Sequence, residues 1–420
     1  MQPKILTTLR DYSWKQFSSD AMAGITVALV ALPLSLAIAI ASGADPAKGL
    51  VTAIVGGLFV SLLGGSRVQI GGPTGAFIVV VFGIIAQHGY DGLVLATLMA
   101  GLILLAAGWL RVGNLIAYVP EAVINGFTIG IAIIIAASQL KDFFGLELAM
   151  VPAEFVEKLA ALWEARGSWN PWAAAIAAGS AVVIVLLRRV FPRFPGLLAA
   201  MAAASALVLG FGLPVDTIAG RFGELPGGFP APSLPEISVQ RILVLLPSAL
   251  IIAFLAAVES LLSALVADRM IEGRHRPNAE VAAQGTANLA SALFGGMPVT
   301  GAIARTATNI KAGGRTPVAG IVHALVLLLI MLFASGLAGY LVMPALAALL
   351  MLTAWNMSEP HKWREYARLP RADLALLVLT LLLTVFVDLA VAVGVGVGIG
   401  LALRLRKSKP EPKDWTPPER

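Results

Sequence analysis

No cysteine occurs in the 420 residues, so disulfide frameworks, thiol redox chemistry and cysteine-ligated metals are excluded together. Charge is scarce too: Asp, Glu, Lys and Arg make up 13% of the chain, against about 25% in soluble domains. Four histidines (His88, His275, His323, His361) are scattered, and no HExxH, GxSxG or Walker pattern accompanies them. Hydrolytic and ATP-driven chemistry therefore lacks its residues, and no enzyme is expected. Long heptads are missing as well, which removes a coiled coil. What fills the chain is apolar: 58% hydrophobic residues, with a mean hydropathy of +0.86. That composition reads as an integral membrane protein. The net charge of +6 invites a nucleic-acid partner, but the aromatics lie in apolar runs and the bases between them, as membrane topology demands. The first apolar stretch, from Ala21, outruns the 7 to 15 residues of a signal-peptide core and reads as a retained helix.

Stretches near the ~20 residues needed to cross a bilayer number fourteen. Their limits are 21–42, 49–64, 73–88, 92–110, 115–137, 171–187, 196–212, 242–267, 279–294, 300–313, 317–335, 337–354, 373–387 and 389–403. The last two are read as a hairpin, because Asp388 in the middle of one long helix is expensive in lipid. With the amino terminus inside, 23 of the 30 Lys and Arg fall on the cytoplasmic side, 6 fall outside, and Arg305 lies within a span. This asymmetry supports the count, and predicts cytoplasmic termini in a plasma (bacterial inner) membrane. The segments 141–170 and 213–241 read as solvated outer loops with short surface helices.

Two distant stretches share one grammar. Leu62-Leu63-Gly64-Gly65 leads through a short extended segment to Pro73-Thr74-Gly75-Ala76, and Leu293-Phe294-Gly295-Gly296 leads through Pro298 to Thr300-Gly301-Ala302. The two Thr-Gly-Ala triplets stand 226 residues apart, and the same offset lays span one on span eight. Seven spans separate the copies, an odd number, so the copies cross in opposite directions, as in the inverted repeats of secondary transporters. Gly71, Gly72 and Pro73, and Pro298 in the second copy, cannot continue a helix from the turn before. Spans three and ten are thus expected to enter extended and start as half-helices near mid-depth. Their amino ends, with Thr74 and Thr300 as caps or hydroxyl donors, would face each other and form an anion site. Close helix packing is the competing use of the same Gly and Pro residues.

Two charges sit inside this frame. Arg305 lies a turn or so into span ten, where a buried Arg costs at least ~2.5 kcal/mol and faces a cavity or partner. Glu259 lies near mid-depth in span eight. Three roles compete for it: an ion pair with Arg305, a proton carrier, or a ligand of a coupling cation.

At these positions the sequence resembles a known family. The run Glu259–Thr316, ESLLSALVADRMIEGRHRPNAEVAAQGTANLASALFGGMPVTGAIARTATNIKAGGRT, is similar to the signature of the sulfate permease (SulP) family of anion transporters. ALPLSLAIAIASG at 31–43 and QIGGPTGAF at 69–77 resemble its first and third spans. The resemblance implies an all-α polytopic membrane protein of fourteen segments in a seven-plus-seven inverted repeat with UraA-like core and gate domains. The core would be spans one to four (from residue 21) and eight to eleven (242–335), and the gate spans five to seven (to residue 241) and twelve to fourteen (336–404). A homodimer is also implied. Substrate contacts are expected at Pro33, Ser35, Pro73, Thr74, Gly75, Ala76, Thr300, Gly301, Ala302, Ala304 and Arg305, and coupling-ion contacts at Glu259, Ser263 and Thr300. Members often carry Gln or Glu and an aromatic after the first-span proline, where this chain has Leu34 and Ser35. Members also usually carry a STAS domain after the last span; here the run LRKSKPEPKDWTPPER at 405–420 stands in that place, so the membrane part is expected without it.

The expected function is secondary transport of a small anion: bicarbonate, sulfate or a C4-dicarboxylate such as fumarate or succinate. Na+ or H+ would be the coupling ion, with no other cofactor and no nucleic-acid partner. A nucleobase-cation symporter, an anion channel and a non-transporting sensor or motor are the alternatives.

Overall fold

A computed structural model of the chain describes residues 2–9, 12–114, 120–148, 151–191, 196–387 and 389–406. The long helices are α1 (Trp14–Ala41), α2 (Pro46–Leu63), α3 (Ile78–Trp109), α4 (Glu121–Phe144), α5 (Pro171–Val190), α6 (Gly196–Phe211) and α7 (Val239–Ile271). They continue as α8 (Pro277–Leu293), α9 (Ile303–Lys311), α10 (Val318–Phe333), α11 (Met343–Met357), α12 (Arg371–Phe386) and α13 (Leu389–Arg406). Two short strands, β1 (Gly71–Gly72) and β2 (Thr300–Gly301), precede α3 and α9. Among the described residues, six helices are both long and apolar enough to cross a membrane by themselves.

The sequence reading and the structure differ mainly at boundaries. α1 starts seven residues before Ala21 because Ser13 and Gln16 form a reciprocal capping box, and polar residues then carry the helix up to the apolar run. Spans three and four join in α3 across a kink at Gly89, whose φ of 69° only glycine adopts at little cost. α4 runs on to Phe144, into the expected outer loop, and ends on Gly145 in the left-handed conformation. The twelfth span starts at Met343 rather than 337, because Val342 is extended and bridged to Thr217. The outer segments do hold short helices, Phe155–Glu164 and Ile218–Phe222. The last hairpin breaks at Val387, beside Asp388. Asp388 itself, Arg10, Arg193, the start of the fifth span at 115–119 and the tail from 407 lie outside the described residues.

The helices pack in two sets. α3 lies along α8 and α7, α1 along α10, and α2 along α8, α10 and α1; α4 lies along α12 and α11, and α11 along α5. Small residues set the closest approaches: a Cβ on Gly101 would stand 2.9 Å from the Gly285 carbonyl oxygen, and one on Gly285 2.6 Å from the Leu105 nitrogen, so α3 and α8 touch backbone to backbone.

Candidate functional site

The two broken segments meet. β1 and β2 pair antiparallel, Gly71 opposite Gly301 and Gly72 opposite Thr300, and the Ala302 N–H extends the ladder to the Ile70 carbonyl at 2.8 Å. Because the strands run in opposite directions and each leads within three residues into a helix, both helix amino ends are turned toward the crossing. No side chain caps either start: Thr74 precedes a short 3-10 turn (Gly75–Phe77) without bonding it, and Ala302 precedes α9. The free N–H groups and the dipole ends are therefore left for something else, the condition under which helix starts bind anions.

Of the two roles expected for Thr74 and Thr300, caps or hydroxyl donors, neither side chain takes that of a cap. The Thr300 hydroxyl is held 3.1 Å from the Ala256 carbonyl oxygen and 2.8 Å from Ser260 Oγ, both on α7, and it sits two residues too early to reach back to α9. Ser260 Oγ also accepts the Gly301 N–H at 2.9 Å, and Ser263 donates to Thr306 Oγ1 at 3.3 Å. Thr74 Oγ1 is buried with no partner.

Arg305, 1% exposed, is the largest of the fully buried side chains. One guanidinium nitrogen, Nη2, donates to Ser35 Oγ at 3.0 Å, and Ser35 passes its own proton to the Ala31 carbonyl at 2.7 Å. Nε and Nη1 have no partner. Pro33, buried one turn before Ala37, removes an N–H from α1 beside this point. The guanidinium lies on Gly72, where a Cβ would clash with Nη1, and Gly72 has a φ of 153°. Gly72→Ala is therefore expected to displace the guanidinium as well as strain the strand. Measured as the dissociation constant of sulfate, it should weaken binding about tenfold or more.

Glu259 does not meet Arg305. Among the described residues no ion pair joins them; Ser260 takes the face of α7 that touches β2, and Glu259, about 100° further round, lines a small gap with Val123, Phe127 and Thr128 of α4. Of the three roles open to Glu259, the ion pair with Arg305 is absent from this geometry. Of the remaining expected residues, Pro73, Gly75, Ala76, Gly301 and Ala302 are buried around the crossing, while Ala304, about 100° round α9 from Arg305, is exposed. A Cβ on Gly75 would meet Met357 Sδ at 3.0 Å and Ile135 Cδ1 at 3.7 Å, so the start of the third span abuts α11 and α4, in the second set of helices.

Sequence reasoning missed the clamps that hold the crossing. Asn288 on α8 grips both sides of Val299, donating to its carbonyl at 2.8 Å and accepting its N–H at 2.9 Å. Thr52 accepts the Met297 N–H at 2.7 Å and Ser291 donates to the Met297 carbonyl at 2.7 Å. On the other strand Asn309 donates to the Val68 carbonyl at 2.8 Å and Thr306 accepts the Ile70 N–H at 3.1 Å. The repeated Asn and Thr residues of the signature run were the available signal.

The pattern of the sulfate permease family matches residues 17–380. The chain belongs to that family. YvdB of Bacillus subtilis (strain 168), a protein named for sulfate transport, is 42% identical over 369 residues, covering 88% of this chain and 70% of its own. The bicarbonate transporter BicA of Picosynechococcus sp. is 32% identical over 349 residues, covering 80% of this chain and 61% of its own. In structure, the transmembrane domain of a cyanobacterial bicarbonate transporter BicA superposes with a TM-score of 0.82 at 32% identity, over 91% of this chain and 99% of that one. SLC26A9 gives a TM-score of 0.87 at 20% identity, over 97% of this chain and 68% of that one, a likeness of fold. The sulfate permease family consists of transporters, not enzymes, and the seven-plus-seven inverted repeat expected from the two triplets is the fold of its membrane domain.

Proposed function

We propose that the protein is a secondary transporter of small inorganic anions, sulfate or bicarbonate foremost, that holds its substrate between the amino ends of α9 and of the Gly75–Phe77 turn beside Arg305. One observation carries this reading: a fully buried guanidinium with two unpaired nitrogens stands where two uncapped helix starts converge. A full positive charge and two dipole ends favour an oxyanion, whereas a neutral nucleobase would not call for the charge. The names of the relatives, sulfate and bicarbonate transporters, agree with that chemistry. C4-dicarboxylates fit the same charge and belong in the test panel.

Alternating access follows from the two helix sets. The set holding the crossing (α1, α2, α3, α7, α8, α9, α10) acts as the core and the set around α4, α5, α11 and α12 as the gate, and sliding of one on the other exposes the site to each side in turn. The protein acts as a homodimer in the plasma membrane with both termini in the cytoplasm. Glu259, in the gap between the sets, couples transport to Na+ or H+, whereas the Ser263 and Thr300 hydroxyls, expected beside it, bond Thr306 and Ser260 at the crossing instead.

Purified protein in liposomes, given radiolabelled sulfate, bicarbonate, succinate and uracil under imposed pH and sodium gradients, tests the reading. Saturable uptake of an inorganic anion supports it; competition by uracil alone, large unsaturated currents, or binding without flux would each refute it. In the same assay Glu259→Gln should still bind anion while uptake loses its dependence on the cation gradient. Gradient dependence equal to wild type would return Glu259 to a packing role.

A further inference from the structure

The wedge between α1, α2 and α10 holds a second buried group that the transport reading leaves unused. His323 on α10 is 0% exposed, and neither ring nitrogen has a hydrogen-bond partner. Its Nδ1 and Cε1 lie 3.3 Å from the place a Cβ on Gly57 of α2 would take, and the Gly71 carbonyl oxygen lies 3.2 Å from the same place. One turn earlier on α2, the Ala53 Cα lies 3.5 Å from the Cβ position of Gly72, the position overlaid by Arg305 Nη1. Residues four apart on a helix stack along one face, about 6 Å apart. The imidazole and the guanidinium thus occupy successive turns of one face of α2. The buried carboxylates on the helices packed against α2, Asp20 of α1 and Glu280 of α8, are engaged elsewhere: Asp20 with Tyr12, Arg315 and Thr316, Glu280 with Gly65, Ser66, Gln69 and Gln284.

Four buried nitrogens along one face of α2 lack a protein partner, against the rule that interior polar groups are satisfied. The two side chains are complementary, however. A guanidinium only donates; a neutral imidazole carries one free lone pair that accepts. When an anion occupies the site it supplies acceptors for Arg305. When the anion leaves, the guanidinium keeps Ser35, and its remaining N–H groups must find another acceptor or stay desolvated and unpaired, which a protein interior penalises.

We propose that His323 is a positioning residue that receives Arg305 while the carrier is empty: the N–H groups that face the anion in the loaded state turn to the imidazole once the anion has gone. This rests on the anion-transport reading above. It adds a kinetic asymmetry, because net uptake requires the carrier to return empty whereas exchange lets it return loaded. A group that serves only the empty state affects the first and spares the second.

The experiment compares radiolabelled sulfate entering liposomes that contain sulfate (exchange) with entry into liposomes that contain none (net uptake). His323→Leu, similar in bulk but without an acceptor, should lower net uptake about tenfold, the worth of one hydrogen bond to a charged group, and leave exchange within about twofold. His323→Gln, which keeps a carbonyl acceptor, should restore net uptake. A His323→Leu protein in which both modes fall in the same proportion marks a packing role and overturns the proposal, as does one in which neither falls. If the leucine variant does not fold, His323→Ala against His323→Gln gives the same comparison. Wild-type protein that exchanges neither sulfate nor bicarbonate would instead sink the transport reading itself, an outcome distinct from the loss of His323's role within a working exchanger.

Discussion

Arg305→Ala is expected to abolish anion uptake, by about 100-fold or more, while leaving the fold intact or slightly firmer. The two halves of that expectation come from the same contacts. The guanidinium is buried at 1% exposure with one neutral partner, Ser35, and two nitrogens unpaired. Removing one member of a buried charge-assisted contact with ligand costs about 2 to 5 kcal/mol of binding, or roughly 30-fold to several thousandfold. Stability moves the other way, because among the described residues no carboxylate pairs with the guanidinium, and replacing an uncompensated buried ion by an apolar group is neutral or favourable. The small cavity left by the truncation offsets part of that gain. The decisive measurement pairs sulfate exchange in liposomes with thermal melting in detergent. Loss of exchange at an unchanged or higher melting temperature is the expected outcome; exchange at the wild-type rate would remove Arg305 from the site. Arg305→Lys keeps the charge but not the planar fork, and should retain a minor part of the exchange.

That combination of function and strain explains which parts of the molecule were legible in the sequence. The broken spans were, because Gly71-Gly72-Pro73 and Pro298 forbid a continuous helix by purely local sterics, and the structure has a strand at Gly71–Gly72 and another two residues after Pro298. The partner of each strand was indicated only by the repeat, and its register, Gly72 on Thr300, needed coordinates. The rotation of α7 was not legible at all. An apolar helix buried on several sides has no strong amphipathic direction, so nothing in the pattern says that Ser260, not Glu259, points to β2. For the same reason His323 read as one more scattered histidine: its sequence neighbours are apolar, and the group that gives it meaning, Arg305, reaches it only through the face of α2. The start of α1 was missed for a different cause, since the Ser13 capping box lies in polar sequence that a hydropathy scan discards.

Glu280→Ala is expected to be among the most destabilising single changes in the protein, although Glu280 makes no ion pair among the described residues. It is 0% exposed on α8, and each oxygen is used twice. Oε2 accepts the Gly65 and Ser66 N–H groups at 2.8 and 3.1 Å, and Oε1 accepts the Gln69 and Gln284 amides, both at 2.9 Å. The Gly65 and Ser66 bonds fasten the extended segment that leads into β1. Gln69 lies directly under Gly301, where a Cβ would clash with its amide, so the same carboxylate supports both strands of the crossing. Truncation leaves four buried donors without an acceptor, two of them backbone, with a penalty of roughly 3 to 5 kcal/mol. Glu280→Gln preserves the shape but presents an NH2 where two donors already point, so it should fall between alanine and wild type. Melting in a single detergent at one scan rate should order the three as wild type, Gln, Ala, with the alanine variant lower by several degrees. Anion affinity should fall in the same order, since a loosened β1 no longer holds Gly72 under the guanidinium. An alanine variant that melts with the wild type would mean that the four donors find other acceptors and that the crossing is held by Asn288 and Asn309 without Glu280.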